Sequence, residues 1–544
     1  MLGRPSAVHG LAILAGASDS KAWCYYGPNA RTVSAIPRNL APTLALLAAS
    51  YGFRLPALLN ARSTNSDAAI VGLQAMHMLR GELSPLLWGS GYQTSADAAV
   101  AALFFSVLGP SPLVLMLSAL TLHVVSTLLV FAMLRRRFDP WLALLVVLPL
   151  VVSPSSVHSY ALYPPRQLSL TLAMAAFWAI DNAGERESTG RWGQGWLAAG
   201  GLLATLAVSA DPYPMLLLPL LGLYALLVTW PRVLRLSALV GGAAIGLLPF
   251  FVIHRLPGAK SGPMGFTTAM LAHHFRLLVE ECLPWALSYK VYYAHHVMDY
   301  APWEAPLWFR ALGAIGALVL AGLVLFGLLA GLKRVAADGG WRMVPAPVRR
   351  LGFTGALAFP LAIGAFLVSV MVMDQFSMRY LAVLTLMTPF AVAPAAQLLG
   401  ARRFALVFAP HLLASAIAGW VGYGPFVRGV IPVAETPELR DDHALADTLR
   451  ARGVRWATAD YWASYRLTLL YREAIVVVPT NAAEDRYAPY RLAFEAQPVF
   501  AYVFDPNRSR EDVAVAERDL IAASEHVEKL RVGGLQVFIV TRRP

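Results

Sequence analysis

The chain has 544 residues, 57% of them hydrophobic and only 14% charged, against roughly half apolar and a quarter charged in soluble domains. That balance excludes water as the solvent of most of the chain and points to a bilayer. The net charge of +12 sits in short loops between apolar runs; with no basic stripe interleaved with aromatics, it argues against nucleic acid as a partner.

Residues 1–38 read as an N-terminal cytoplasmic extension. Its apolar stretch Ala7 to Ala17 resembles a signal-peptide core after Arg4, but is too short to span. Arg31 and Arg38, just before the first span, favour keeping that side inside. Residues 39–434 hold roughly eleven runs of about 17 to 25 apolar residues, near 39–59, 112–134, 139–157, 166–181, 196–210, 213–230, 236–253, 308–332, 351–373, 380–399 and 403–423. The connecting segments alternate in basic content. Arg135, Arg136 and Arg137, Arg186 and Arg191, Arg232 and Arg235, Lys333 to Arg350, and Arg402 and Arg403 mark one side, cytoplasmic by the positive-inside rule. The other side carries the long loops 60–111 and 254–307, the turns SADPYP (209–214) and MDQFSMRY (373–380), and the C-terminal tail. Cys24 and Cys282, the two cysteines, then face opposite sides and cannot form a disulfide framework.

The first outer loop is the most informative segment. Asp67 follows Asn65-Ser66 at the mouth of a span, an amphipathic helix and a Trp88-Gly89 turn come next, and Asp97 opens a second helix. Each carboxylate can be read as a helix N-cap or first-turn anion. Asp67 can equally be read as a general base, tuned by burial and neighbours to accept a hydroxyl proton. The spans carry no acidic or basic residue near their middles, which disfavours ion-coupled transport. His123 and His411 are expected to be neutral and bonded to neighbouring helices.

In the loop 254–307, His295 and Asp299 stand one helical turn apart, as do His296 and Tyr300. That spacing would allow part of a metal site, without a third defined ligand. His273, Arg276 and Glu280 share a helical face, and an amphipathic helix lying on the bilayer is the simpler reading. From 435 to 544 the charge density rises and strands alternate with helices. A helix at 440–453, strands at 454–460, 473–480 and 497–504, a charged helix near 510–525 and two final strands make a small C-terminal α/β extracytoplasmic domain. It carries no nucleotide-binding glycine motif.

The stretch Asn65 to Ser111 resembles the first outer loop of the GT-C glycosyltransferase superfamily, polytopic enzymes related to protein mannosyltransferases and aminoarabinose transferases. The resemblance rests on Ser66-Asp67 after the first span, Leu79-Arg80-Gly81, Trp88-Gly89, Tyr92, Asp97 and a phenylalanine-rich helix closing in Leu-Gly-Pro-Ser. QFSMRYLAVL (375–384) is similar to the family's late Arg-Tyr segment, and the tail, with YWASYRLTLLY and RYAPYR, to the outer domain of bacterial members. The resemblance implies a GT-C-like fold and a polyprenyl-phosphate sugar donor. It implies Asp67 as the base, Asp97 as a second acidic position, and Arg379 and Tyr380 near the donor head group, with Tyr92 in the same motif. Where many members have Asp-Glu, Asp67 is followed by Ala68.

Displacing a polyprenyl phosphate also needs cationic donors or a metal on the departing phosphate. Arg166, Lys290 and Arg379 are all predicted on the outer face, Arg being suited to bidentate phosphate contact. Each can also be an interfacial anchor. The expected function is an inverting glycosyltransferase of the bacterial plasma membrane, moving a sugar to a glycan, lipid or protein acceptor on the outer face. A divalent metal stays open. The alternatives are a transporter of lipid-linked glycans or small solutes, and a noncatalytic assembly protein.

Overall fold

The computed structural model describes residues 35–59, 61, 64–154, 157, 161–185, 191–259, 265–296, 299–332, 344–423, 437–505 and 512–543. The readings of Ala7 to Ala17, Arg31 and Cys24 lie outside them.

The described chain is mostly helical. After α1 (Ala35–Gly52), the first loop folds into α2 (Ser66–Leu79) and α3 (Ala96–Leu108). The bundle continues through α4 (Pro112–Leu134), α5 (Pro140–Val151), α6 (Gln167–Glu185), α7 (Arg191–Ala210), α8 (Leu218–Thr229), α9 (Leu236–Gly246), α10 (Leu307–Leu332), α11 (Ala346–Val368) and α12 (Ala382–Val421). Ser111 caps α4 by accepting from the Val114 N–H at 3.2 Å, with Pro112 in the first turn, as a helix start requires. Inside α12, Gly400 leaves helical geometry at φ 68° and ψ 170°, between the two last expected spans.

Among the described residues, five helices are long and apolar enough to cross a bilayer, namely Pro112–Leu134, Val233–Ile253, Leu307–Leu332, Ala346–Val368 and Gln375–Val421. The expected count of about eleven is therefore not reached by length and composition. Several of the other runs are shorter or interrupted. α5 has 12 residues and reaches only about 18 Å at 1.5 Å per residue. Near 39–59 the helix ends at Gly52, and a separate short turn covers Leu55–Leu59. α7 and α9 pack backbone to backbone: a Cβ on Gly242 would lie 1.9 Å from the Ala198 carbonyl oxygen, the kind of close approach that small residues allow between apolar helices.

The C-terminal segment holds α13 (Pro437–Ala451), α14 (Tyr461–Leu470), α15 (Ala488–Glu495) and α16 (Val513–Ala523) around a sheet. A separate hairpin, β1 (Tyr292–His296) and β2 (Asp299–Pro302), lies in the loop 254–307. The sheet is built from β3 (Trp456–Ala459), β4 (Val476–Pro479), β5 (Val499–Phe504), β6 (Ser524–Val532) and β7 (Leu535–Arg542), in the order β4-β3-β5-β7-β6. β3 runs parallel to β4 and β5, while β7 is antiparallel to β5 and β6.

Residues alternate between the two faces of this sheet, as the period of two in a strand demands. Val476, Val478, Phe500, Tyr502 and Phe504 join a core with Ala69, Leu73 and Leu115 of the first loop and α4. Ile475, Val477, Ala501 and Val503 pack instead with Leu445 and Leu449 of α13. The sheet thus shares one core with α2 and α3. Each fully buried side chain of this size contributes about 1.5–3 kcal/mol, so the first loop and the tail hold each other in place.

At the far end of α4 a buried ion cluster replaces some of the charge expected in loops. Asp181, 1% exposed, accepts from Arg137 Nη2 and Tyr224 Oη at 2.5 Å each, and pairs with Arg136 Nη1 at 3.3 Å. His123 bonds the Leu150 carbonyl of the neighbouring helix at 2.9 Å through Nε2, and Arg54 Nη2 lies 3.3 Å from the same nitrogen.

Candidate active site

A cavity of about 290 Å³ opens where the first loop, the 163–166 segment, the 209–214 turn, the 371–380 segment and the C-terminal segment converge. Asp67, Tyr92, Arg166 and Arg379 all line it, together with Trp88, Tyr213 and Arg486. Four expected residues from distant parts of the sequence therefore meet in one place.

Asp67 stands in the first turn of α2 but does not cap it. Asn65 does, its side chain accepting from the Ala68 N–H at 2.8 Å. That frees the Asp67 carboxylate, which is solvent-accessible and accepts a hydrogen bond from the Tyr461 hydroxyl of α14. Asp67 is the one carboxylate among the residues lining the cavity.

Asp97 has another placement. It is 7% exposed, and its two oxygens accept the backbone N–H groups of Arg166 and Leu168, both at 3.2 Å. It acts as a cap in trans for α6 and does not line the cavity. Burial pushes its carboxyl up to about 6, with the backbone donors opposing that rise. The Arg166 backbone it holds has φ 109°, a conformation that residues with a Cβ rarely adopt and that persists only where neighbours enforce it.

Arg166 is paired with Asp211 at 3.6 Å and lies over the Tyr213 ring at 5.9 Å. Asp211 also accepts from Gln93 of the first loop and from the Tyr213 N–H. Tyr213 in turn donates its hydroxyl to the Arg379 carbonyl at 2.9 Å. The short turn 209–214 therefore ties the first loop to the short helix Gln375–Leu381, which Asp374 caps. Arg379 stacks its guanidinium 5.2 Å from the Tyr380 ring. Its Nε is buried with no hydrogen-bond partner among the described residues. Burial raises the Tyr92 phenol above its ordinary range, so it stays a hydrogen-bond donor.

A second cavity of about 160 Å³ adjoins the first, sharing Tyr92, Arg166, Tyr213 and Met371, and is walled by Leu216, Ala362, Ala365, Phe366, Val372 and Tyr380. The pair is a polar chamber beside a largely apolar slot; Arg166 lines both, Arg379 and Arg486 line the chamber, and Asp211 lines the slot.

Lys290 is not among the lining residues. It pairs with Glu281 and lies over Tyr292. The helical spacing read for His295 and Asp299 is corrected: both belong to the hairpin β1–β2, in which His296 lies opposite Asp299. β-branching is scarce there, and the hairpin forms from aromatic and polar residues that the helical reading did not weigh. Among the described residues no three His, Cys, Asp or Glu side chains come together as a metal site would need. Arg276 and Glu280 do share a helical face, paired at 3.0 Å.

Sequence reading missed Asp211, Tyr461 and Arg486 as site residues. The turn SADPYP and the segments YWASYRLTLLY and RYAPYR were visible, but nothing local in them says which cavity they approach.

No curated protein matches the sequence. Among solved structures, ArnT from Cupriavidus metallidurans in the apo state is 13% identical, with 92% of this chain and 98% of that chain covered at a TM-score of 0.47. The oligosaccharyltransferase AglB from Archaeoglobus fulgidus, in complex with an inhibitory peptide and a dolichol-phosphate, is 11% identical, with 93% and 74% covered at a TM-score of 0.45. The family profile described as dolichyl-phosphate-mannose-protein mannosyltransferase matches residues 96–254. That stretch carries Asp97, Arg166 and Asp211 and overlaps the end of the first outer loop.

Proposed function

We propose that the protein is an inverting glycosyltransferase that takes a sugar from a polyprenyl phosphate and transfers it to a hydroxyl-bearing acceptor. The acceptor oxygen attacks the anomeric carbon as the bond to the phosphate oxygen breaks, and the acceptor proton passes to Asp67. Arg379 and Arg166 take the charge that grows on the departing phosphate, Arg379 with an Nε that has no hydrogen-bond partner among the described residues. Tyr92 donates to the same group, and the first isoprene units lie in the apolar slot beside Phe366 and Leu216. Asp97 works at one remove, by holding the Arg166 backbone. In this reading the cavity end of the bundle faces outward in a bacterial plasma membrane, residues 39–434 form the membrane domain, and 435–544 form an extracytoplasmic domain.

The single observation that carries the proposal is one carboxylate, Asp67, and three guanidiniums, Arg166, Arg379 and Arg486, lining one chamber that adjoins a largely apolar slot. The test is purified full-length protein incubated with a panel of radiolabelled polyprenyl-phosphate sugars and candidate acceptors. Asp67→Asn is expected to lower kcat by about 10²–10⁴-fold, the range for loss of a general base, with donor binding kept. Turnover of that variant at the wild-type rate would remove Asp67 from the chemistry.

A further inference from the structure

The hydroxyl that bonds the Asp67 carboxylate comes from the far end of the chain. Tyr461, the first residue of α14, donates its hydroxyl to Asp67 Oδ1. The same phenol oxygen accepts from Arg486 Nε at 3.3 Å, and the Arg486 guanidinium lies 5.2 Å from the Tyr461 ring centre. A phenol whose oxygen accepts from a guanidinium has its own proton directed away from that cation, here toward the carboxylate.

Arg486 is itself held from two sides. Its Nη1 donates to the Gly89 carbonyl at 3.1 Å, and its backbone N–H donates to the Tyr465 hydroxyl at 2.6 Å. Gly89 has φ 68°, and a Cβ there would lie 2.3 Å from Arg486 Cδ and 2.7 Å from Arg486 Cα. Only glycine lets the first loop close on this arginine. A chain of contacts thus runs from Gly89 through Arg486 and Tyr461 to Asp67, crossing twice between the first loop and the C-terminal segment.

We propose that Tyr461, oriented by Arg486 and the Gly89 contact, is the positioning residue for Asp67, and that the C-terminal segment thereby completes the active site. The inference rests on the reading of Asp67 as the base. The phenol occupies Oδ1 and leaves Oδ2 for the acceptor hydroxyl. It fixes the rotation of a carboxylate that no other described side chain bonds. Burial, with Asp67 beside it, pushes the Tyr461 phenol well above its ordinary range, so it remains a donor throughout the working pH. Tyr461 orients the base and does not itself give up a proton.

The test uses Tyr461→Phe, which keeps the ring in the shared core, in the full-length protein. The expected result is a kcat lowered about tenfold with donor KM within about twofold, and an acid limb of the pH–rate profile moved to higher pH, because a donor to the charged form is gone. A variant with wild-type kcat and an unmoved acid limb overturns the proposal. A second readout needs no sugar transfer. Carbodiimide labelling of Asp67 at about pH 6, followed by mass spectrometry, is expected to be roughly fivefold faster in Tyr461→Phe, and faster also in Gly89→Ala, where Arg486 is displaced. An unchanged labelling rate in Tyr461→Phe overturns the proposal whether or not the protein transfers sugar. If the wild-type protein transfers no sugar while labelling accelerates, the proposed function fails and the positioning contact stands.

Discussion

Asp67 and Asp97 lie on one loop, each in the first turn of a helix, yet their surroundings differ in every respect. Asp67 is relieved of capping by Asn65 and meets solvent, a phenol and a cavity. Asp97 is buried and spends both oxygens on the backbone of another helix. Two residues with the same local sequence signature thus meet different surroundings: Asn65 caps the helix of Asp67 and leaves its carboxylate to the cavity, while the carboxylate of Asp97 is spent on the N–H groups at the start of another helix.

The contrast breaks most sharply under substitution by asparagine. Asp67→Asn removes the proposed proton acceptor and should reduce kcat with donor KM held. Asp97→Asn replaces one acceptor oxygen with an NH₂ group that faces a backbone N–H. One of the Arg166 and Leu168 bonds is then lost, at a cost of about 1–3 kcal/mol, and the Arg166 loop relaxes. The expected result is a donor KM raised about tenfold with a smaller change in kcat, since Arg166 is displaced and the base is not. Equal kcat losses with unchanged KM in both variants would erase the distinction and make Asp97 a direct participant. Smaller in effect is Asn65→Ala, which leaves the start of α2 uncapped at a cost of about 1 kcal/mol. Asp67, in the same first turn, is then an available side-chain acceptor for those N–H groups. A modest drop in thermal stability together with a several-fold fall in kcat is expected, and a stability loss with full kcat would show that capping and catalysis are not in competition.

The legible and illegible parts of this protein divide along sequence distance. The C-terminal strands and helices were readable because apolar alternation and turn residues are local properties; the runs at 454–460 and 473–480 emerge as β3 and β4. Asp67, Tyr92, Arg166 and Arg379 were named from a motif and from chemical type, and the fold brings them to one cavity. Lys290 has the same chemical type but a closer carboxylate, Glu281, which claims it. Asp211, Tyr461 and Arg486 were missed because each meets the first loop through a contact across more than a hundred residues of sequence. The hairpin at 292–302 was misread because a spacing of four residues fits a helix turn and a tight hairpin alike. The count of about eleven spans is not confirmed: the break at Gly400 falls between the expected runs 380–399 and 403–423, whereas the run 39–59 does not reveal that its helix ends at Gly52.

The shared core of the first loop and the C-terminal sheet also carries a titratable contact away from the cavity. His77, near the end of α2, bonds Glu473 through Nε2 at 2.6 Å and Glu82 through Nδ1 at 2.5 Å. Its ring meets Trp88 edge-on at 4.8 Å, and Trp88 stacks on Tyr487 at 3.9 Å. Arg80, Tyr487 and Tyr490 complete the charged and titratable groups around it. Burial alone would lower the imidazole, but the bonds to Glu473 and Glu82 outweigh it and hold His77 above its ordinary value. For Glu473, burial acts upward, and the bonds from His77, Tyr490 and Arg80 outweigh it and bring the carboxyl down to about 2. A raised histidine contributes stability that is full below about 6.5, its unfolded value, and is lost as pH rises through the folded value. A lowered glutamate contributes stability present above about 4.3 and lost as pH falls through about 2. The contact between the first loop and the tail should therefore be tightest between about pH 4.3 and 6.5 and loosen at alkaline pH. Hydrogen exchange of the 473–490 segment in the full-length protein is expected to speed up as pH rises from 6.5 to 8.5, beyond the intrinsic change in exchange rate. His77→Gln should remove that excess. An excess that survives in His77→Gln would assign the pH response to another group.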